Sequence, residues 1–115
     1  MKLYGIPNCS TVKKARVWLE ERGQDYVFHD FKKQGVPEAM LAALMEKHGW
    51  ETLLNRNGPT WRKLPDERKA QVTDSASALA VMRENSSVIK RPILERDGHY
   101  LFGFKETDYE RFFGQ

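Results

Sequence analysis

The amino-terminal third of the sequence changes its hydrophobic period twice, and these changes constrain the fold more than any other feature. Residues 2–6 form a short strand-like run, and from Ser10 apolar residues recur at helical spacing as far as Gly23. Residues 26–31 are again β-branched and aromatic. A helix between two strands predicts a β-α-β crossover, in which the strands must be parallel. The expected buried face of the helix comprises Val12, Ala15, Trp18 and Leu19.

The middle of the chain has the pattern of a helical subdomain, inserted at approximately residues 37–85. A proline and a glycine mark the ends of a helix at 37–49, and a short helical turn is expected at 50–54. Turn-forming residues predict a loop at 55–61, and a further helix capped by Asp74 extends to about residue 85. The apolar face of the first of these helices is expected to comprise Met40, Leu41, Leu44 and His48.

The carboxy-terminal segment predicts a β-hairpin followed by a helix. Residues 91–104 contain two strand-like runs joined by Asp97-Gly98, the dipeptide favoured in tight type I′ turns. The final helix is expected near Thr107, because Thr107 and Glu110 have capping-box spacing. Together the elements predict a single α/β domain over residues 1–115, built on a small mixed sheet with helices on its faces. The apolar face of the final helix comprises Tyr109, Phe112 and Phe113.

Composition excludes several classes of protein. Of the 115 residues, 40% are hydrophobic and 30% are charged, and no apolar run approaches the roughly 20 residues of a membrane span. The start of the chain lacks the apolar core and the cleavage site of a secretory signal, so we expect a cytoplasmic protein with no membrane partner. The net charge is only +3, with acidic residues interspersed, which disfavours a nucleic-acid partner. We expect a monomer.

The only cysteine, Cys9, stands where the first strand-like run gives way to the first helix. The first turn of a helix presents unpaired backbone N–H groups and the positive end of the helix dipole, and both stabilise a thiolate. Because Lys13, Lys14 and Arg16 raise the local positive potential, we expect the pKa of Cys9 to lie below its usual value. Unpaired cysteines are also often buried and inert, but polar neighbours disfavour that alternative here.

A lowered pKa determines which thiol chemistry Cys9 would favour. It increases the thiolate fraction but weakens the nucleophile, so the gain in attack is small. The same shift makes Cys9 a better leaving group, which favours a cycle in which a mixed disulfide forms and another thiol releases it. Since the chain has no second cysteine, that thiol must be external, and glutathione is the abundant candidate. We therefore expect glutathione as a co-substrate and no bound cofactor.

We expect no metal site. A single cysteine makes a cysteine-based zinc site very improbable, and it also excludes an internal disulfide. The three histidines, at positions 29, 48 and 99, are too scattered to form a ligand motif.

Polar side chains near two turns are candidates for contact with a substrate. A proline at position 92 cannot donate a ladder hydrogen bond and indicates an edge or a special turn. If that turn approaches the cysteine, Arg91 supplies a rigid fork for a carboxylate or an oxyanion. Asn8, Ser10 and Thr11 can offer hydrogen bonds to a substrate oxyanion, although capping of the helix is an alternative role for Ser10 or Thr11.

The chain contains four distinctive stretches: YGIPNCSTVKKARVWLEERG, LLNRNGPTWRKL, SVIKRPIL and GFKETDYERFF. In this order and at these intervals they resemble the arsenate reductase/Spx family of thioredoxin-like proteins, and most closely its YffB-like members. The resemblance covers essentially the whole chain and implies a thioredoxin-like sheet with an inserted helical subdomain. It also implies a catalytic thiol at Cys9, a cis-proline facing that thiol at Pro92, and an active-site arginine at Arg91.

The chain departs from two branches of the family it resembles. Glutathione-dependent arsenate reductases carry two further oxyanion-binding arginines; at one position this chain has Asn55 followed by a displaced Arg56, and at the other it has Gly103. Loss of cationic donors weakens a site for a dianion, although Arg56 stays a candidate substrate-binding residue. Spx regulators typically have a second cysteine at the position of Val12, so this chain cannot form their disulfide switch.

Three functions are consistent with these residues. The first is a glutathione-dependent thiol-disulfide reductase, in which Cys9 attacks a disulfide or a glutathionylated substrate while Arg91 and Lys13 stabilise anionic groups. The second is an Spx-like regulatory protein that binds RNA polymerase through the shared fold. The third is a glutathione-dependent arsenate reductase.

Overall fold

The computed structural model describes residues 1–114 of the chain. The strands are β1 (Lys2–Gly5), β2 (Val27–Asp30), β3 (Ile93–Arg96) and β4 (His99–Phe102). The helices are α1 (Ser10–Glu21), α2 (Phe31–Gln34), α3 (Glu38–His48), α4 (Trp50–Leu53), α5 (Pro59–Arg62), α6 (Asp66–Ala70), α7 (Ser75–Glu84) and α8 (Glu106–Phe112), with a 3-10 helix at Ser86–Val88. Within the described residues, no helix combines the length and the apolar character needed to cross a membrane.

The four strands form one mixed sheet in the order β2-β1-β3-β4. Strand β1 is parallel to β2, with Leu3 opposite Phe28, which confirms the predicted crossover. Strand β3 is antiparallel to both β1 and β4, so β1 and β4 run in the same direction. Consequently the end of β1, the start of β3 and the end of β4 all lie at the same end of the sheet.

The chain folds as two units. The first contains Met1–Gln34 and the segment from Arg91 onward, and thus the sheet with α1, α2 and α8. The second, Gly35–Lys90, contains α3 to α7, the 3-10 helix and an isolated bridge between Leu54 and Ile89. The segment expected to form a helical subdomain, residues 37–85, falls within this second unit.

The core of the first unit is built from one face of α1, one face of α8 and the central strands. Helix α1 buries the four residues that its spacing predicts. Trp18 of this helix meets the ring of Tyr109 edge to face, with 5.3 Å between the ring centroids. Full burial of a large apolar side chain stabilises a fold by about 1.5–3 kcal/mol. The buried cluster comprises Leu3, Ala15, Trp18, Leu19, Leu94 and Tyr109.

Glycine is favoured at two places in the backbone, the end of β1 and the turn between β3 and β4. Strand β1 ends at Gly5, where an added Cβ would lie only 2.8 Å from Cγ2 of Val12, so glycine allows α1 to pack closely. In the turn between β3 and β4, Asp97 has φ 51° and Gly98 has φ 79°. Two successive residues with positive φ are typical of a type I′ turn, which confirms the predicted hairpin.

The second unit corrects the predicted face of its first helix. Helix α3 buries Leu41, Leu44 and Met45, which follow the i, i+3, i+4 spacing of one helical stripe. The prediction that His48 lies on this face is wrong, because its side chain is exposed. His48 is the last residue of α3, and Gly49 turns the chain immediately afterwards with φ 89°.

The starts of three helices were predicted with different success. Asp74 caps α7 as expected, since its carboxylate accepts the backbone N–H of Ser77 at 2.8 Å. The predicted capping box of α8 is wrong, because that helix begins at Glu106 without a side-chain cap. Acidic side chains in its first turn interact favourably with the helix dipole instead. The expected loop at 55–61 is wrong at its end, because Pro59 occupies the first helical position of α5.

Strand β2 ends one residue earlier than predicted, and the additional helix α2 follows at once. The carboxylate of Asp30 accepts backbone N–H groups of Lys32 at 2.9 Å and Lys33 at 3.4 Å. These bonds satisfy amide donors at the start of α2, as an N-terminal cap does. Local hydrogen bonding by Asp30 therefore ends the strand at a point where the aromatic pattern continues.

The buried hydroxyl of Tyr109 leads to a prediction about stability. This oxygen has no hydrogen-bond partner among residues 1–114, and burial raises the pKa of Tyr109. Because Tyr109→Phe removes a buried group that gains nothing from the fold, we expect the free energy of unfolding to rise by about 1 kcal/mol. Urea unfolding followed by circular dichroism measures this change. Tyr109→Leu, which loses the contacts of the ring, should be destabilised; a clear loss of stability in Tyr109→Phe would contradict the prediction.

Candidate active site

Three chain segments meet at the end of the sheet where β1 terminates. The loop after β1 carries Cys9, the residue before β3 is Pro92, and the turn after β4 contains Gly103. The backbone N–H of Gly103 donates to the carbonyl oxygen of Pro92 at 2.8 Å, which joins two of the segments. The peptide bond between Arg91 and Pro92 is cis, in agreement with the resemblance.

Cys9 is the N-cap residue of α1. Its backbone is extended, with φ −128° and ψ 124°, and its carbonyl oxygen accepts the first helical hydrogen bond from the N–H of Lys13 at 2.9 Å. The expectation that Ser10 or Thr11 caps this helix is wrong, because both lie inside it and α1 has no side-chain cap hydrogen bond. The side chain of Cys9 is half-buried and unpaired with any other sulfur.

Opposing effects act on the pKa of Cys9, and their balance lowers it. Partial burial is the largest single effect and raises the pKa. The backbone N–H of Val12, the charge and hydrogen bond of Arg91, and the N–H of Thr11 all stabilise the thiolate and together outweigh burial. The direction agrees with the sequence prediction, and the thiolate is correspondingly more populated at neutral pH.

The source of this stabilisation differs from the prediction in one respect. Lys13, Lys14 and Arg16 are not among the groups that lower the pKa of Cys9. The side chain of Arg16 is directed toward the start of β2, where its Nε donates at 3.0 Å to the hydroxyl of Tyr26, the residue before the strand. Its guanidinium carbon also lies 4.2 Å from the ring centroid of Phe28. The aromatic side chains of this edge hold Arg16 away from the start of the helix.

The other predicted substrate-binding residues divide between the two units. Asn8 and Ser10 are exposed beside Cys9, and Thr11 is half-buried. Pro92 is buried next to Arg91, which is half-buried. Arg56 belongs to the second unit, where its guanidinium forms an exposed ion pair with Glu51 at 3.4 Å. Its role toward a substrate stays a prediction.

One contributor to the site was missed from the sequence. The backbone N–H of Val12 stabilises the thiolate, but every non-proline residue supplies such a group, so residue type carries no signal for it. Gly103 stands where the resemblance implies an oxyanion-binding position, and strand order brings its turn to the site. As for metals, residues 1–114 contain no group of three or more His, Cys, Asp or Glu placed to hold an ion.

The fold and the site define a class of protein: a thioredoxin-like sheet with a single cysteine at the start of α1 and a cis-proline beside it. The family model described as "ArsC family" matches residues 4–112, and this chain belongs to the ArsC family.

Three relatives illustrate the range of proteins that this chain is similar to. It is 46% identical to the YFFB protein, with a TM-score of 0.89 and 96% of each chain covered. It is 48% identical to an arsenate reductase (ArsC) related protein from Brucella melitensis, with a TM-score of 0.75 over 99% of this chain and 94% of that one. It is also 26% identical to the global transcriptional regulator Spx of Enterococcus faecalis, over 97% of this chain and 85% of the relative.

The lowered pKa of Cys9 predicts how the reactivity of its thiol depends on pH. Alkylation by iodoacetamide requires the thiolate, so the rate should rise with pH through a midpoint below that of a free cysteine. Arg91→Gln should raise this midpoint, because it removes both a positive charge and a hydrogen bond from the sulfur. The midpoint of Arg91→Lys, which retains the charge, should lie between those of the unmodified protein and Arg91→Gln.

Lys13→Gln is the matched control for that experiment. It also removes one positive charge close to Cys9, but Lys13 is not among the groups that lower the pKa. Its midpoint should therefore equal that of the unmodified protein. Equal upward shifts in Lys13→Gln and Arg91→Gln would show that general positive potential, rather than the contact with Arg91, determines the pKa.

Proposed function

We propose that this protein is a glutathione-dependent thiol-disulfide reductase that acts through the single thiol of Cys9. The observation that carries the proposal is the half-buried sulfur at the start of α1, with a pKa lowered by backbone N–H groups and by Arg91. Membership of the ArsC family and similarity to an arsenate reductase-related protein support a thiol-based reductase more broadly.

The proposed reaction consists of two exchanges between sulfur atoms. The Cys9 thiolate attacks the glutathione sulfur of a glutathionylated substrate, so that a disulfide forms between Cys9 and glutathione while the substrate leaves as a thiolate and takes a proton from solvent. The thiolate of a second glutathione then attacks the glutathione sulfur of that mixed disulfide. Oxidised glutathione leaves, and the Cys9 thiolate is regenerated. One substrate disulfide is reduced and two glutathione molecules are joined, so electrons and atoms balance.

The lowered pKa matters most in the second exchange. A thiol of lower pKa leaves faster from a mixed disulfide, whereas its advantage as an attacking group is reduced by its weaker intrinsic nucleophilicity. Since the chain contains no second cysteine, release by an external thiol is the route that the residues allow. Glutathione acts here as a co-substrate, with no bound cofactor.

The side chains around Cys9 have distinct proposed roles. Arg91 stabilises the thiolate and holds a carboxylate or another anionic group of the substrate through its planar fork. Lys13 adds an exposed positive charge one turn further along α1. Asn8, Ser10 and Thr11 offer polar contacts to the bound substrate beside the buried Pro92.

A second candidate function is a regulatory role through contact with RNA polymerase. The similarity to proteins named global transcriptional regulator Spx, which extends over 97% of this chain, favours it. Such a role does not require Cys9 to turn over, and the chain has Val12 at the position where the resemblance to Spx regulators implies a second cysteine. A pull-down with RNA polymerase subunits distinguishes this role from catalysis.

Arsenate is a third candidate substrate, because one structural relative is an arsenate reductase-related protein. The position expected to supply an oxyanion-binding arginine near the end of β4 is Gly103, which has no side chain to contribute. Arsenate consumed only in the presence of glutathione would identify this activity. The oxidised glutathione that forms can be followed with glutathione reductase and NADPH.

Replacement of the sulfur tests the proposed function directly. Cys9→Ser should reduce the turnover of a glutathionylated peptide to the uncatalysed background, because a serine hydroxyl forms no mixed disulfide. The assay couples oxidised glutathione to glutathione reductase and follows NADPH consumption. Without free glutathione, the unmodified protein should accumulate one glutathione on Cys9, as detected by mass spectrometry. Full activity of Cys9→Ser, or no glutathione adduct, would overturn the proposal.

A further inference from the structure

A groove in the first unit runs along α1 from Lys13, which lies about one helical turn after Cys9. Its volume is about 650 Å³, within the range of roughly 300–1,000 Å³ typical of ligand sites. One wall is α1, and the other includes Phe104 and Glu106, which follow β4. Because β1 and β4 run in the same direction, both walls begin at the end of the sheet that holds the site.

The groove changes character along its length. Lys13 and Lys14 lie at the end nearest Cys9, and their ammonium groups form no ion pair among the described residues. Glu106 of the other wall lies toward the same end, so the lining there carries two positive charges and one negative charge. The middle is apolar and contains Val17, whose residue surface is 52% exposed, together with Trp18. At the far end, Glu21 has only a 4.0 Å contact with the exposed guanidinium of Arg22.

Distance along the helix decides what can occupy this groove. With a rise of about 1.5 Å per residue, Lys13 lies about 6 Å from Cys9, Val17 about 12 Å and Glu21 about 18 Å. Glutathione has one residue on either side of its cysteine, so at about 3.5 Å per residue it extends about 4 Å on the glycine side and at most about 7 Å on the side of the longer γ-linked glutamate. Glutathione bonded to Cys9 therefore cannot span the groove, whereas about five residues of an extended polypeptide can.

We propose that this groove binds the polypeptide flanking the reacting cysteine of a protein substrate. Charge complementarity specifies the side chains of this polypeptide. An acidic side chain about two residues from the substrate cysteine would contact Lys13 and Lys14. An apolar side chain would then contact Val17, and a basic side chain would lie near Glu21. This inference rests on the proposed function, because it names the class of substrate that reacts at Cys9.

Val17 provides the test, and the chain contains a matched control. Val17 and Val27 are the two large hydrophobic residues that are more than half exposed in the described part of the chain, at 52% and 60%. Val27 lies on β2, outside the groove. We compare kcat/KM for two kinds of disulfide. One is a glutathionylated peptide in which acidic, apolar and basic side chains occur in this order away from the cysteine, in one version before it and in another after it. The other is the small 2-hydroxyethyl disulfide.

Val17→Gln should lower the ratio of peptide to small-disulfide kcat/KM about fivefold, because an apolar contact with the peptide is lost. Val27→Gln should leave both values unchanged. Lys14→Glu should lower the rate with the acidic peptide by about twofold to fivefold and raise it with a peptide that has lysine at that position. A merely structural role for Lys14 would not reverse the preference between peptides.

The outcomes separate this inference from the function on which it rests. If the protein turns over the small disulfide but Val17→Gln leaves the ratio unchanged, the groove does not bind the polypeptide. An equal fall for both disulfides would also overturn the inference, because it would indicate damage to the site. If the unmodified protein reduces neither disulfide, the proposed reductase function fails first. Binding of the reduced peptide to Cys9→Ser, followed by NMR shifts of the Val17 methyl groups, then tests the groove without turnover.

Discussion

The antiparallel pairing of β3 with β1 is the constraint on which the site depends. It places the start of β3 next to the end of β1, and so brings Arg91 to the sulfur of Cys9. In a parallel pairing, the start of a four-residue strand would lie about 10 Å away, at the opposite end of the sheet. The hydrogen bond from Gly103 to Pro92 belongs to the same end, because β4 returns there through the hairpin.

The electrostatics at Cys9 show why nearby groups of equal charge are not equivalent. Exposed ammonium groups such as that of Lys13 are hydrated and screened by salt, so they contribute little to a sulfur several ångströms away. Arg91 is half-buried and in contact with the sulfur, and the backbone N–H groups of Thr11 and Val12 are held in place by the helix. Groups that are already oriented stabilise the thiolate without further ordering, and they offset the cost of partial burial.

Structural features that depend on interactions over a few residues were predicted from the sequence more successfully than features that depend on residues further apart in the chain. Helix α1 and the hairpin were predicted because hydrophobic spacing and the Asp97-Gly98 turn act over a few residues. Helix ends were less predictable: Asp74 caps α7, whereas the threonine at position 107 does not cap α8, although both have capping-box spacing. The difference arises because a cap also requires extended backbone at the residue itself. Arg16 was misassigned because its partners lie beyond the end of α1: Tyr26 immediately precedes β2, and Phe28 lies within that strand.

The sequence by itself determined the order of the four strands and of helices α1, α3, α4, α7 and α8, but not the short helices α2, α5 and α6. It also determined the apolar faces that pack in the first unit and the position of one sulfur at the start of a helix. Periodicity, turn chemistry and the helix dipole act locally, and each is present in the residues themselves. Only the tertiary structure decided which cation contacts that sulfur and how the groove beside it is lined. These features depend on strand order, which brings Arg91 and Phe104 near Cys9 although they lie about 80 and 95 positions later in the chain. The hydrogen bonds that set strand order are formed by backbone groups, so residue type carries little signal for them.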